Sequence, residues 1–281
     1  MRSTPARRTI DRAGLSFRAE LSAVPIFINC RDRLAPLRGL VTWLEHAGCG
    51  EIHLIDNASA YEPLLEWYDE TPHNVIRLER NYGKFSLWDA PDLFALTRGR
   101  HFAYTDPDVV PDDRCPTDVF DRLRDLLDRY RGINKAGLGL VIDDLPEHYA
   151  HRREVATWEH GYWTWPLEHG VYYAPIDTTF AMYRPGAAPK PLEAARMGPP
   201  YVARHTPWYQ DSKRPTDEDL FYEQRAEEER RGAWSADQLP PAFAASVERR
   251  RVHGDPNFTT RLRWRLRGRR AVRLGLNLAA R

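Results

Sequence analysis

The sequence lacks a long hydrophobic run, and it contains few cysteines. No apolar stretch approaches the roughly 20 residues needed to cross a bilayer, and the arginine-rich N-terminus has no apolar core of the kind that secretory signals carry. The three cysteines, Cys30, Cys49 and Cys115, are odd in number and lack metal-type spacing, which argues against a disulfide framework. We therefore expect a cytoplasmic protein with reduced, buried cysteines.

Several common nucleotide-binding and catalytic motifs are also missing. Gly48 and Gly50 end a predicted helix rather than open one, which disfavours a dinucleotide site of the NAD type. No Walker-type phosphate loop, no His-Glu-x-x-His and no Gly-x-Ser-x-Gly motif occurs. A function must therefore be argued from less specific patterns.

Charge is distributed unevenly, although the formal net charge is only +1. Residues 249–281 contain eleven arginines and a single acid, Asp255. Residues 261–267 alternate arginine with apolar residues, a period of two that separates the two classes in an extended chain but not in a helix. Two interpretations stay open: peripheral docking to an anionic membrane surface, at about 1 kcal/mol per basic residue, and a disordered or partner-bound arm.

Short apolar strands alternate with amphipathic helices over the first 110 residues. Strands are predicted at residues 24–29, 51–56, 74–78 and 101–105, and helices at residues 34–47, 61–68 and 87–97. In the first helix, apolar residues recur at helical spacing: Leu34, Leu37, Leu40, Val41 and Leu44. This alternation predicts an α/β fold with a mostly parallel sheet that is covered by helices on both faces.

Beyond residue 111 the pattern is less regular. A helix is predicted near residues 119–127, a strand at 136–142 and a longer strand-like run at 172–183. A last helix is predicted at residues 216–231, with Thr216 as its N-cap. The length of 281 residues allows one large domain or one domain with appendages.

Polar side chains follow each of the four early strands. They are Asn29 and Arg31, Asp56 and Asn57, Asn81 and Lys84, and Asp106 and Asp108, in chain order. Because the carboxyl ends of parallel strands meet at one edge of a sheet, we expect one crevice that offers amides and carboxylates to a base, a ribose and a metal ion. Taken singly, each residue could instead cap a helix or form a turn.

The last of these pairs, Asp106-Pro107-Asp108, is the most informative. Two carboxylates one residue apart at a strand end are hard oxygen ligands suited to Mg²⁺ or Mn²⁺. Asp and Pro are also ordinary turn formers. The coincidence with the other three strand ends favours the metal site.

Four segments resemble, in order and approximate spacing, the nucleotide-binding half of GT-A fold glycosyltransferases, in particular the family-2-like group: residues 24–33, 52–59, 80–83 and 104–108. The resemblance implies a GT-A type α/β fold, a nucleotide-diphosphate sugar donor and Mn²⁺ or Mg²⁺ as cofactor. It implies that the donor contacts Asn29, Arg31, Asp56, Asn57, Asn81, Lys84 and Asp106, and that the metal lies on Asp106 and Asp108.

With this resemblance the chain divides into four parts. Residues 1–20 are an N-terminal arm, and residues 21–111 are the nucleotide-sugar-binding half. Residues 112–248 are the acceptor-binding half, and residues 249–281 are a basic tail.

The second half supplies the remaining metal ligand and the candidates for a catalytic base. His205 resembles the late histidine that completes the metal shell, and imidazole suits Mn²⁺, although the residue could simply pack or cap. Glu218 and Asp219 resemble the acidic motif that supplies the base, and they also read as an acidic helix N-terminus. Asp177 is the third candidate, a carboxylate inside an apolar strand-like run where an unpaired charge would be costly.

An aromatic segment is the candidate acceptor site. Trp158, Trp163 and Trp165, with Glu159, could offer flat apolar faces and a hydrogen-bond acceptor to a sugar ring. The alternative is a set of aromatics packed under a lid.

The resemblance implies a metal-dependent glycosyltransferase that moves a sugar to a hydroxyl of a glycan or lipid-linked acceptor, and we expect it in the cytoplasm or peripherally on the inner face of the membrane. The stereochemistry stays open, and no nucleic-acid partner is expected. One alternative is a sugar nucleotidyltransferase, which should show a glycine-rich basic loop after the first strand. Another is a non-catalytic nucleic-acid- or membrane-binding protein that acts through the tail, which leaves the acid pair unexplained.

Overall fold

The structure is a computed structural model that describes residues 24–228, 243–245 and 248. Its first half alternates strands and helices: β1 (Ile26–Cys30), α1 (Ala35–His46), β2 (Ile52–Asp56), α2 (Glu62–Glu70), β3 (Asn74–Arg77), α3 (Ser86–Asp89), a 3-10 segment (Leu93–Thr97), β4 (Phe102–Thr105) and β5 (Val109–Pro111).

The second half contains more strands than helices. Its elements are α4 (Val119–Arg129), β6 (Lys135–Leu140), α5 (Arg152–His160), a 3-10 segment (Gly161–Trp163), β7 (Pro166–Glu168), β8 (Val171–Tyr173), β9 (Ala181–Tyr183), β10 (Ala194–His205), a 3-10 segment (Thr206–Tyr209) and α6 (Asp217–Glu228).

The ten strands of the described residues belong to one mixed sheet, with the order β3-β2-β1-β4-β9-β6-β10-β8-β7 and β5 paired to β10. The strands β1 to β4 are parallel, as are β6 and β10. Strand β9 lies antiparallel between β4 and β6, and it joins the two parallel sets. The predicted fold class is confirmed: an α/β domain with a mostly parallel sheet, followed by a portion with mixed strand directions.

The core lies on both faces of this sheet. Side chains of β1 alternate between the faces, because successive residues of a strand point to opposite sides: Ile26, Ile28 and Cys30 join the larger cluster, and Phe27 joins the smaller one. The larger cluster packs under α1, α2, α4 and α5, and the smaller under α3 and the 3-10 segment after it. The predicted cover of helices on both faces is therefore confirmed.

Helix α1 forms where its apolar spacing predicts. Leu37, Leu40, Val41 and Leu44 are its buried residues, and they form one stripe against the sheet. Pro36 lies in the first turn, where its missing N–H costs nothing. The chain then turns at Gly48, whose φ of 80° suits glycine.

Two sequence predictions were wrong in the type of structure. The helix predicted at residues 87–97 is split into α3 and a 3-10 segment, because Pro91 disfavours helical geometry at Ala90, which is extended. The strand-like run at residues 172–183 consists of β8 and β9 with an irregular segment, residues 174–180, between them. Asp177 therefore lies in that segment and not inside a strand.

No helix among the described residues is both long and apolar enough to span a bilayer. The predicted N-terminal arm and basic tail, residues 1–20 and 249–281, lie outside the described residues.

Candidate functional site

A crevice of about 820 Å³ opens at the carboxyl ends of the parallel strands β1, β2 and β4. Most predicted site residues line it together: Asn29, Arg31, Asn57, Asn81, Lys84, Asp106, Asp108, Trp158, Glu159, Asp177 and His205. Volumes of this order are typical of small-molecule sites. The predicted convergence of the strand ends on one crevice is therefore present in the fold.

The turn Asp106-Pro107-Asp108 is tied down from both sides. The backbone N–H of Asp106 donates to the carbonyl of Thr178 at 3.0 Å, and the Thr178 hydroxyl donates to Oδ2 of Asp106. On the other side, the N–H of Thr206 donates to the carbonyl of Asp108 at 2.8 Å. Two segments of the second half thus hold the backbone of the turn at both acids, and Thr178 also holds the Asp106 carboxylate.

Both carboxylates of this turn are largely removed from water. Burial and the neighbouring Asp108 carboxylate raise the pKa of Asp106 well above its usual value, although a hydrogen bond from Thr178 opposes the shift. One oxygen of Asp108, Oδ1, is buried and has no hydrogen-bond partner among the described residues. A cation would relieve both features.

His205 lies beside this pair at the end of β10. The antiparallel pairing of β10 with β5 places His205 opposite Val109. Its Nε2 is 3.7 Å from Oδ2 of Asp108. Burial lowers the pKa of His205, against the opposing effect of the Asp108 carboxylate. The imidazole is therefore neutral at neutral pH, the form that binds metal ions.

The predicted metal ligands fit an ion only in part. Among the described residues, no group of three or more His, Cys, Asp or Glu side chains is arranged to hold a metal. The geometry provides a close pair, Asp108 and His205, with Asp106 next to it. One or two protein groups together with substrate phosphates are a common way to hold Mg²⁺, so this donor set fits an ion that arrives with a diphosphate.

Among the predicted donor residues, two amide side chains hold the loop that follows β3. Asn57 donates from Nδ2 to the carbonyl of Gly83 at 2.9 Å and accepts the N–H of Tyr82 at 2.7 Å. Asn29 accepts the hydroxyl of Ser86 at 2.7 Å. These residues line the crevice and also shape the loop that carries Asn81 and Lys84.

Asp56 does not line the crevice. It is buried, and its Oδ1 accepts the N–H of Ser59 at 2.9 Å. Burial raises the pKa of Asp56, and hydrogen bonds from Ser59 oppose the shift. Its placement matches the turn and cap interpretation of this strand end.

Asp177 contacts Lys84, which lies in the loop that follows β3. Its Oδ2 is 2.6 Å from Nζ of Lys84, and both side chains are about half exposed, at 47% and 55%. Exposed ion pairs of this kind contribute little to stability, so the pair can open when a ligand competes for either partner.

The carboxylates of Glu218 and Asp219 line a neighbouring cavity and not this crevice. Glu218 accepts the backbone N–H groups of Leu34 and Ala35 at 2.9 and 3.0 Å, at the N-terminus of α1. Asp219 accepts hydrogen bonds from Arg33, Gln210 and Thr216. The N–H of Asp219 returns to the Thr216 hydroxyl, which confirms Thr216 as the N-cap.

Of the four predicted acceptor residues, two line the crevice. Trp158 packs on Phe243 with ring centroids 4.9 Å apart, and Glu159 pairs with Arg196 at 2.9 Å in a buried contact. Trp163 instead packs over Gly139, which has no room for a Cβ, and against Tyr172. Trp165 packs against the main core.

Several crevice residues were not predicted from the sequence, among them Arg33, Thr178, Arg196 and Tyr222. Thr178 and Arg196 are polar residues inside apolar runs, which is the same pattern that led to the prediction of Asp177. Tyr222, whose ring lies 4.1 Å from the Arg33 guanidinium, carries no comparable signal.

Comparisons with known proteins show only distant likeness. No family model matches the sequence, and no curated protein does so significantly. Two solved structures are similar at TM-scores of 0.40 and 0.39. The first is a mycobacterial protein with 14% sequence identity, and the aligned region covers 67% of this chain and 70% of that protein. The second is glucosyl-3-phosphoglycerate synthase from Mycobacterium tuberculosis in complex with Mn²⁺ and UDP-glucose. It is 16% identical in sequence, and the aligned region covers 79% of this chain and 82% of that protein.

Proposed function

We propose that the chain is a metal-dependent glycosyltransferase that moves a sugar from a nucleotide-diphosphate donor to a hydroxyl of a glycan or lipid-linked acceptor. The observation that carries this proposal is the convergence of Asn29, Asn81, Lys84, Asp106 and Asp108 on one crevice. They come from the ends of β1 and β4 and from the loop that follows β3, and together they offer amides, a cation and two carboxylates to one ligand.

Asp108 and His205 are the groups that would hold a divalent ion, with Asp106 beside them. Bound there, Mn²⁺ or Mg²⁺ would stabilise the negative charge that develops on the leaving diphosphate. Lys84 and Arg31 line the same crevice and would add to this stabilisation as fixed positive charges.

Asp177 is the carboxylate best placed to accept the proton of the acceptor hydroxyl. It is exposed in the crevice, whereas Glu218 and Asp219 lie in a neighbouring cavity and are engaged by backbone and side-chain donors. A diphosphate that recruits Lys84 would free the Asp177 carboxylate. General base catalysis of this kind typically contributes a factor of about 10² to 10⁴.

The acceptor would lie towards Trp158 and Glu159, at the end of the crevice formed by α5. Trp158 offers an apolar ring, and the buried Glu159–Arg196 pair offers fixed polar groups to hydroxyls. This arrangement suits a sugar. For such an enzyme we propose a cytoplasmic location, peripheral on the inner membrane face where the acceptor is lipid-linked, and no nucleic-acid partner.

Thermal unfolding with UDP, GDP or TDP, each with and without Mn²⁺, tests the proposal. We expect at least one nucleotide diphosphate to raise the unfolding temperature only when Mn²⁺ is present, because ligands that bind the folded state stabilise it. Asp108→Ala should abolish this metal-dependent rise.

The matched control is Asp69→Ala, which removes an exposed carboxylate paired with Arg77 outside the crevice. It should leave the rise unchanged. A wild-type protein that no nucleotide diphosphate stabilises in the presence of Mn²⁺ or Mg²⁺ would contradict the proposal.

A further inference from the structure

A lysine is buried beneath the segment that borders the crevice. Lys135 is the first residue of β6, and it is 0% exposed. Lysine is rarely buried, because removing an ammonium group from water is costly unless its protons meet acceptors. The buried ammonium group of Lys135 therefore needs hydrogen-bond acceptors within the core.

The acceptors that Lys135 meets lead to the crevice. Its Nζ donates to the backbone carbonyl of Asp177 at 3.2 Å and to the hydroxyl of Tyr183 at 3.1 Å. The Tyr183 hydroxyl lies 3.4 Å from the same Asp177 carbonyl. The Lys135 side chain thus links strand β6 to the backbone of residues 174–180.

That segment is in turn the support of the predicted donor and metal site. Asp177 contacts Lys84 at 2.6 Å, and Thr178 bonds Asp106 through both its carbonyl and its hydroxyl. Elsewhere the segment is held by the N–H of Ile176, which donates to the carbonyl of Pro191 at 2.9 Å. The Lys135 contact lies at the residue between Ile176 and Thr178.

We propose that Lys135 is a positioning residue of the crevice: by holding the Asp177 carbonyl it fixes residues 174–180 against Asp106 and Lys84. The lowered pKa of Lys135, about 7, agrees with this burial; burial is its main cause, Lys84 adds to it, and Asp177 opposes it. The proposal rests on the proposed function only where it concerns ligand binding.

Hydrogen exchange on the full chain without nucleotide tests the positioning itself. In Lys135→Met, the amides of Asp106 and Ile176, which depend on the segment, should exchange about tenfold faster, the effect of losing one hydrogen bond. The amides of Asn57 and Leu78, which bond within the parallel half, should not change. Tyr183→Phe keeps the lysine and removes one of its acceptors, so it should give a smaller rise at the same two amides.

Two exchange results would overturn the proposal. One is less than a twofold change at Asp106 and Ile176. The other is an equal rise at Asn57 and Leu78, which is what a loss of global stability produces. Should Lys135→Met fail to fold, Lys135→Gln, which retains a shorter N–H donor, is measured in its place, with an intermediate rise expected and the same two results overturning it.

Ligand affinity provides the second readout. Lys135→Met should weaken binding of the Mn²⁺ complex of the stabilising nucleotide diphosphate about tenfold. Local exchange that rises while affinity stays at the wild-type value would reject a positioning role. If the wild type binds no nucleotide diphosphate, the proposed function fails, and the exchange experiment still decides whether Lys135 holds the segment.

Discussion

Each carboxylate in the crevice has a different partner, and the partner determines what the carboxylate can do. Asp106 is held by Thr178, Glu159 by Arg196, and Asp177 by an exposed lysine that a ligand can displace. The Oδ1 oxygen of Asp108 is buried and has no hydrogen-bond partner among the described residues. Such an atom is costly unless a ligand completes it, which makes Asp108 the best candidate for a metal ligand.

The hydroxyl of Thr178 should be required for full ligand affinity. Thr178→Val keeps the shape of the side chain and removes the hydrogen bond to Asp106, so the carboxylate loses its fixed orientation. We expect Mn²⁺-dependent nucleotide diphosphate binding to weaken about fivefold to tenfold, as measured by titration calorimetry. Thr71→Val is the control, because the Thr71 hydroxyl has no hydrogen-bond partner among the described residues and Thr71 does not line the crevice. Equal affinities for the two variants would contradict the role given to Thr178.

Lys135 should make stability depend on pH in the weakly alkaline range. Its folded-state pKa of about 7 lies below the ordinary 10.5, so above pH 7 the unfolded chain binds more protons than the folded one. The stability that depends on Lys135 should therefore rise with pH, by at most about 1.4 kcal/mol per unit. Urea unfolding at pH 7, 7.75 and 8.5 should show a steeper rise for the wild type than for Lys135→Met. Parallel curves would contradict the lowered pKa.

At the scale of elements, the start of α6 is bound to the start of α1 at a cavity beside the crevice. Glu218 accepts two N–H groups at the start of α1, and Asp219 pairs with the buried Arg33 that precedes it. A carboxylate at a helix N-terminus is favoured by the unpaired N–H groups and the helix dipole. The acidic run predicted as a source of the base thus joins two helices.

Glu218→Ala should lower stability and leave ligand binding largely unchanged. The substitution removes the acceptor of the Leu34 and Ala35 N–H groups at the start of α1, which we expect to cost about 1 kcal/mol of unfolding free energy in urea titrations, as the loss of a helix cap does. Asp217→Ala is matched, because Asp217 lies in the same first turn and is exposed, so it should cost a few tenths of a kcal/mol. Loss of metal-dependent nucleotide binding in Glu218→Ala, with stability retained, would return Glu218 to the list of crevice residues.

Regular elements were predictable from the sequence where one face is buried. The stripe Leu37, Leu40, Val41 and Leu44 predicted α1 correctly, because burial of one face imposes the helical period. Residues 174–180 were misread, because Ile176 and Phe180 are both fully buried although the segment is irregular. A local pattern of apolar residues indicates which side chains are buried. It does not indicate which backbone conformation buries them.

At the scale of the whole molecule, the crevice is complete only because the two halves of the sheet meet. The parallel half supplies Asn29, Asn81 and Asp106, and the mixed half supplies Asp177 and His205. Strand ends of a parallel sheet share an edge, so the first group followed from the order of elements. The second group depends on long-range pairing, such as β10 with β5, which no local pattern specifies. Six of the seven predicted donor residues line the crevice, against two of the four predicted acceptor residues.

The arginine-rich tail, which lies outside the described residues, should bring the chain to anionic membranes. Residues 249–281 carry eleven arginines and one acid, while the remainder is net negative, so attraction to an anionic leaflet would act mainly at one end of the chain. We expect the wild type to sediment with vesicles containing phosphatidylserine, and binding to fall as salt is raised from 50 to about 500 mM, because salt screens these charges. A full-length variant with Arg261, Arg263, Arg265 and Arg267 replaced by glutamine should sediment much less. Equal sedimentation of the two proteins, or equal binding to neutral phosphatidylcholine vesicles, would contradict electrostatic docking through the tail and leave an arm for another partner.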